Sequence, residues 1–280
     1  MDNSSDVLEH ILTRNIDSPA PVTYSFLAPN AKALENATAI LEKNPGTYLT
    51  QAEAEAGAGV EAGTTKKPAL ELAVFAAATE SFSQRNLNCD IATSLERFRD
   101  VIQGAKQLGL RARAYVSVVL GCPFEGYDVD PHRVAEIATS LLEMGADEIS
   151  LGDTTGMGTA PRTQELLRCV AAAGIRSEDL AMHFHDTYGQ ALVNTAVALE
   201  RGVRTFDGAV AGLGGCPYSP GATGNVATEN LVYFVETLGM DTGIDLDAMA
   251  DIGDWISAEL GKPNESTVGK ARLSARKRSD

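Results

Sequence analysis

Leu180-Ala181-Met182-His183-Phe184-His185-Asp186-Thr187-Tyr188-Gly189-Gln190-Ala191 is the stretch from which the fold of this chain can be read. It opens as a short apolar run, the pattern of a buried strand, and passes through a polar turn into helical period over 188–201. Residues two apart in a strand share a face, so His183 and His185 point together and Phe184 points away. Two imidazoles at the C-terminal end of a strand suit one divalent cation if the strand belongs to a parallel barrel, whose active sites lie at that end. The plain alternative makes one a hydrogen-bonded core histidine and the other a surface residue. The chain holds 4 histidines and two of them fall here, which favours the ligand pair.

The same strand-then-helix unit repeats outward on both sides. Apolar runs predict strands at 22–27, 70–76, 113–119, 148–151, 180–185 and 205–209. Helical period predicts helices near 31–42, 91–108, 131–144, 163–173, 188–201, 227–238 and 246–260. Gly145, Gly174 and Gly202 each follow a predicted helix, where a left-handed C-cap favours glycine. This alternation is the α/β pattern of a TIM (β/α)8-type barrel, with about six strands in view. The rhythm breaks near 45–68, where a low-complexity run from Gln51 to Gly63 lies between Asn44-Pro45-Gly46 and Lys66-Lys67-Pro68 and reads as a mobile insertion. Residues 1–262 therefore read as one barrel domain carrying that insertion, and 263–280 as a C-terminal tail.

At 280 residues, 44% hydrophobic and 22% charged, the chain can bury a sizeable core, which excludes disordered, collagenous and coiled-coil classes. Lys+Arg 23 against Asp+Glu 38 leaves −15, so a nucleic-acid partner would be repelled. Cys89, Cys122, Cys169 and Cys216 show no CxxC spacing and read as reduced thiols of an intracellular protein. No apolar run reaches the roughly 20 residues that cross a bilayer, so no membrane partner is expected. The acidic start predicts a cytoplasmic chain, or a mitochondrial one if a targeting segment precedes it.

Two further constellations sit after predicted strands. Ala211-Gly-Leu-Gly-Gly-Cys216-Pro-Tyr-Ser-Pro-Gly-Ala-Thr-Gly-Asn225 is too glycine-rich for regular structure and suits a mobile lid; Cys216 in it suits an acid/base or nucleophilic thiol, and the Asn225 amide oxygen a hard metal. A tight surface connection with an inert cysteine is the plain alternative. Asp153 in Leu151-Gly152-Asp153-Thr154-Thr155-Gly156 can serve as a base or bond a substrate hydroxyl, and its ordinary role is to cap the next helix. Glu80 and Ser117, at other strand ends, read as capping or exposed residues before they read as catalytic.

With these motifs in place the chain resembles the 3-hydroxy-3-methylglutaryl-CoA lyase family. The resemblance rests on Gly212-Leu-Gly-Gly-Cys216-Pro-Tyr218 with Gly224-Asn225-Val-Ala-Thr-Glu229, on Ala77-Ala-Thr-Glu80 with Asn86-Leu-Asn-Cys89, and on Leu120-Gly-Cys-Pro-Phe-Glu-Gly126. Glu148-Ile-Ser-Leu-Gly-Asp153-Thr154 and His183-Phe-His-Asp-Thr-Tyr-Gly-Gln-Ala191 complete it, in order from about 5 to 262. It implies a metal-dependent barrel lyase that cleaves an acyl-CoA, 3-hydroxy-3-methylglutaryl-CoA, to acetoacetate and acetyl-CoA and works as a homodimer. It implies Mg²⁺ or Mn²⁺ held by His183, His185 and Asn225. Proton transfer by His183, a catalytic thiol at Cys216, assistance from Asp153 and a role in activity for Glu229 are implied in the same way. An acidic residue near a helix start is also favoured by the helix dipole, which is the plain reason for Glu229.

The family opens with an Arg-Asp-Gly-Leu-Gln strand that supplies a fourth ligand and an arginine, and with a second strand bearing a glutamate; neither has a counterpart in this sequence. The expectation is a barrel lacking its first two βα units. Two other readings stand beside the lyase: a catalytically impaired paralogue that binds acyl-CoA or a lyase subunit, and a related metal-dependent aldol-type lyase or synthase.

Overall fold

The computed structural model describes residues 3–14, 22–57, 60–61, 64–65, 67–215 and 224–276. Its elements run α1 (Ser4–Thr13), β1 (Thr23–Leu27), α2 (Ala31–Lys43), α3 (Gln51–Glu55), β2 (Val60–Glu61), β3 (Thr64–Thr65), β4 (Ala69–Ala77), α4 (Glu80–Leu87) and α5 (Ile91–Gln107). They continue with β5 (Arg111–Ser117), α6 (Pro131–Glu143), β6 (Glu148–Asp153), α7 (Ala160–Ala172), β7 (Leu180–Phe184), α8 (Ala191–Glu200), β8 (Thr205–Asp207), α9 (Thr228–Thr237), α10 (Leu246–Leu260) and α11 (Thr267–Arg276). Six parallel strands form one sheet in the order β1-β4-β5-β6-β7-β8, and β2 pairs with β3 in a separate antiparallel hairpin. All six strands read from the sequence are present.

The chain divides into two compact units, 1–116 with 136–149 and 117–135 with 150–280. In the first unit, β4 is buried along most of its length, as a parallel strand covered on both faces must be. Helix α5 presents Ile91, Ser94, Phe98, Val101, Ile102 and Ala105 to the interior at three- and four-residue spacing. Phe98 is fully buried and lies 6.5 Å from Phe75 by ring centroids; burying such a side chain contributes roughly 1.5–3 kcal/mol. Asp90 caps α5 by accepting the Thr93 N–H at 2.7 Å. Glu80 holds the Ile91 N–H at 3.0 Å, which is the capping role its sequence suggested.

The region read as a mobile insertion contains a built start. Thr50 and Glu53 form a capping box that opens α3, and Gln51 then bonds both Asp147 at 3.1 Å and Lys106 at 2.7 Å. Gly145, Gly174 and Gly202 end α6, α7 and α8 with φ of 108°, 87° and 90°, as expected of left-handed caps.

In the second unit the interior is built from Leu120, Leu151, Leu166, Val170, Met182, Phe184, Ala198 and Val203, all nearly inaccessible. The sequence read as a tail includes α11, which lies along α10: Arg272 makes two 2.8 Å bonds to Asp247, and Arg276 grips Asp251. Exposed pairs of this kind contribute about 0.2–1 kcal/mol each, so the helix is held chiefly by the buried turn before it. There Asn230 Oδ1 accepts the Ser266 hydroxyl at 3.0 Å, the Thr267 hydroxyl at 3.2 Å and the Val268 N–H at 3.0 Å. Among the described residues no helix is long and apolar enough to cross a membrane.

Candidate metal and catalytic site

The site residues with described positions all lie in the second unit, at or after the C-terminal ends of β6, β7 and β8. His183 is in β7 and His185 just beyond it, with ring centroids 5.3 Å apart, so the two share a face as the two-residue spacing requires. Asn225 joins them through the backbone. The segment 224–228 threads between strand ends: Asp186 N–H donates to Gly224 O, Val226 N–H to Phe184 O, and Thr228 N–H to Ala209 O. His185 and Asn225 face each other as an antiparallel bridge within this lacing. The preceding Gly224 has φ 122°, and a Cβ there would lie 2.5 Å from Gly214 O and 2.6 Å from Gly212 O, so only glycine fits.

These three side chains fit a divalent cation. His185 Nδ1 and Asn225 Oδ1 are both buried and have no hydrogen-bond partner among the described residues, whereas buried polar atoms are ordinarily paired. The Asn225 amide is fixed from its other end, where Nδ2 donates to Leu213 O at 2.9 Å, which leaves the oxygen as the free donor atom. Burial, and then the neighbouring His183, lowers the His185 pKa to about 4, so its ring is neutral near pH 7, the form that ligates metal. Among the described residues no group of three or more His, Cys, Asp or Glu side chains is placed to hold a metal, so the set depends on the asparagine.

Asp153 ends β6 with no exposed surface. Its carboxylate accepts the Gly158 N–H at 2.9 Å and the Thr155 hydroxyl at 3.3 Å, and its carbonyl accepts the N–H groups of Gly156 and His185, each at 3.2 Å. The side chain thus braces the 153–158 loop. Burial pushes its pKa up to about 6, against the Gly158 N–H and Thr155 hydroxyl that pull it down. Glu229 is likewise wholly buried, and both its carboxylate oxygens lie 3.1 Å from the Ala211 nitrogen. Burial raises its pKa, opposed by its own backbone N–H, that of Ala211 and the Ser266 hydroxyl. Ala211 has φ 56°, an uncommon left-handed residue, and its carbonyl accepts the Glu265 N–H at 3.0 Å. Glu229 and the turn before α11 therefore hold the start of the loop that carries Leu213. Cys216 lies outside the described residues.

Sequence reading passed over Asp207 and Ser150. Asp207 in β8 is the register partner of His183 in β7; its Oδ2 lies 3.3 Å from His183 Nδ1 and accepts the Ser150 hydroxyl at 2.9 Å. No local motif marks either residue. The signal is the pairing of β7 with β8, which exists only once the sheet is assembled.

Residues 29–256 match the HMGL-like family. A lyase of Pseudomonas aeruginosa named for 3-hydroxy-3-isohexenylglutaryl-CoA and hydroxy-methylglutaryl-CoA is 49% identical over 252 residues, 90% of this chain and 74% of that protein. The crystal structure of hydroxymethylglutaryl-CoA lyase from Pseudomonas aeruginosa matches with TM-score 0.79 and 46% identity, covering 98% of this chain and 80% of that one. A structure of an HMG-CoA lyase from Acinetobacter baumannii in complex with coenzyme A and 3-methylmalate matches with TM-score 0.76 and 32% identity, covering 96% and 77%. The expected α/β barrel-type fold is borne out, and enzymes of this family depend on a divalent metal. The chain belongs to the HMGL-like family, the family of the hydroxymethylglutaryl-CoA lyases.

Proposed function

We propose that this chain is a carbon–carbon lyase that cleaves 3-hydroxy-3-methylglutaryl-CoA to acetoacetate and acetyl-CoA, or a close 3-hydroxyacyl-CoA to the corresponding 3-oxo acid and acetyl-CoA. The observation that carries the reading is the convergence of His183, His185 and Asn225, with a buried nitrogen and a buried amide oxygen left without partners among the described residues. These residues would hold Mg²⁺ or Mn²⁺, which when bound polarises the substrate's hydroxyl and carbonyl oxygens. The coenzyme A in the Acinetobacter baumannii relative supports an acyl-CoA ligand here.

The reaction is a retro-Claisen cleavage. The proton leaves the C3 hydroxyl, the oxygen's electron pair becomes the new carbonyl, and the C2–C3 bond breaks with its electrons passing to the thioester enolate. A proton then returns to C2. His183, partly exposed where His185 is buried, offers one ring lone pair, which would serve either the cation or the hydroxyl proton at a given moment and not both. Cys216 is assigned the return of a proton to C2. Asp153 and Glu229 serve the site from behind: their carboxylates are occupied by Gly158, Thr155 and Ala211 and keep the two flanking loops in place.

The test is acetoacetate release from 3-hydroxy-3-methylglutaryl-CoA in the presence of Mn²⁺. The reading expects release by the purified chain and at least a hundredfold loss in both His183→Ala and Cys216→Ala. A folded chain that releases none, or variants as active as the parent, would overturn it.

A further inference from the structure

We propose that Asp207 is the positioning residue of this site: it fixes His183 with the proton on Nδ1, and Ser150 in turn fixes Asp207. The inference rests on the lyase reading only in what the oriented ring is used for; the orientation follows from the geometry alone.

Asp207 Oδ2 lies 3.3 Å from His183 Nδ1 and 2.9 Å from Ser150 Oγ. An ionised carboxylate can only accept, so the ring nitrogen facing it must carry hydrogen. In a neutral imidazole the other nitrogen is then bare, which makes Nε2 the atom whose lone pair can bind a cation or take a proton. Three adjacent strands of the sheet supply the three residues: Ser150 comes from β6, His183 from β7 and Asp207 from β8. His183 and Asp207 are register partners, so the contact is set by sheet pairing and not by a loop. Their side chains are 24% and 17% exposed, sheltered enough for a charge-assisted bond to outlast competition from water. Among the described residues His185 has no such partner: its Nδ1 is buried and unbonded there. The two histidines are therefore unequal, one held by a carboxylate and the other by burial alone. Carboxylate partners of ligand histidines typically carry a 10–100-fold share of metal affinity.

The test reads the tautomer directly. In metal-free, substrate-free protein labelled with ¹⁵N-histidine, long-range ¹H–¹⁵N correlation of the 4 imidazoles distinguishes Nδ1–H from Nε2–H, with His183→Gln assigning the peak. The expected result is Nδ1–H at His183 in the wild type, retained in Asp207→Asn, whose amide oxygen still accepts, and shifted toward Nε2–H in Asp207→Ala. Mn²⁺ affinity should fall about 10–100-fold in Asp207→Ala and recover partly in Asp207→Asn. Nε2–H at His183 in the wild type, or an unchanged tautomer in Asp207→Ala, overturns the proposal; the wild-type spectrum decides even if the alanine variant does not fold. The correct tautomer without acetoacetate release sinks the lyase reading and leaves the positioning role standing. Release with the opposite tautomer does the reverse.

Discussion

Replacing Glu229 by alanine should destabilise the protein by about 2–4 kcal/mol, and the structure shows where that comes from. The side chain is fully buried and its two oxygens are the acceptors for the Ala211 N–H. Removing them leaves a buried donor without a partner, which costs roughly 1–3 kcal/mol. One buried methylene, Cγ, is lost as well, at about 0.8 kcal/mol. Relief of the burial that raises the Glu229 pKa offsets part of the sum. Glu229→Gln keeps an acceptor of the same shape opposite Ala211 and should cost under about 1 kcal/mol. At roughly 2–4 °C per kcal/mol, the alanine variant should melt about 4–16 °C below the parent and the glutamine variant within about 4 °C. Thermal melting followed by circular dichroism measures both, and hydrogen exchange at the Ala211 amide reports the local event. An alanine variant that melts within about 2 °C of the parent with Ala211 still protected, or a glutamine variant that falls as far as alanine, would refute the reasoning.

Three other outcomes rest on the same kind of contact. Gly224→Ala should abolish Mn²⁺ binding in a titration, because its Cβ would press on the carbonyl oxygens of Gly214 and Gly212, backbone that cannot yield, and so displace Asn225. Asn230→Ala should melt well below the parent, since it strands the Ser266 hydroxyl, the Thr267 hydroxyl and the Val268 N–H that the Asn230 oxygen accepts. Asp153 introduces a pH slope: its folded pKa of about 6 lies above the ordinary 3.8, so the cost of the buried charge is absent below pH 3.8 and complete above about pH 6. Melts taken from about pH 4 to pH 7 should show up to about 3 kcal/mol of stability lost through this group, and Asp153→Asn should flatten that part of the curve.

Much of this was legible in the sequence because the forces involved are local. Each of the six strands is a short apolar run that ends at a turn, and Gly145, Gly174 and Gly202 mark helix ends by a conformation that other residues resist. The shared face of His183 and His185 follows from strand geometry alone. Thr50 with Glu53 was a legible capping box, obscured by the alanine- and glycine-rich run that comes after it. Helix α11 was hidden by its basic composition: Arg272 and Arg276 are spaced four apart, as are Asp247 and Asp251 on α10, and the match has meaning only when the helices lie side by side. Asp207 was out of reach for the same reason, since its partner is 24 residues away and is fixed by strand register. The acidic motif residues Asp153 and Glu229 stood out by type, and their burial on backbone N–H groups could only be seen in the fold.

The central claim is that His183, His185 and Asn225 make one cation site. Its most direct measurement is a titration of the purified chain with Mn²⁺, with free ion followed by electron paramagnetic resonance, beside His185→Ala and Asn225→Ala. The account predicts a single saturable Mn²⁺ per chain and at least a tenfold loss of affinity in each variant; equal affinity in all three proteins, or no saturable binding by a folded parent, would contradict it.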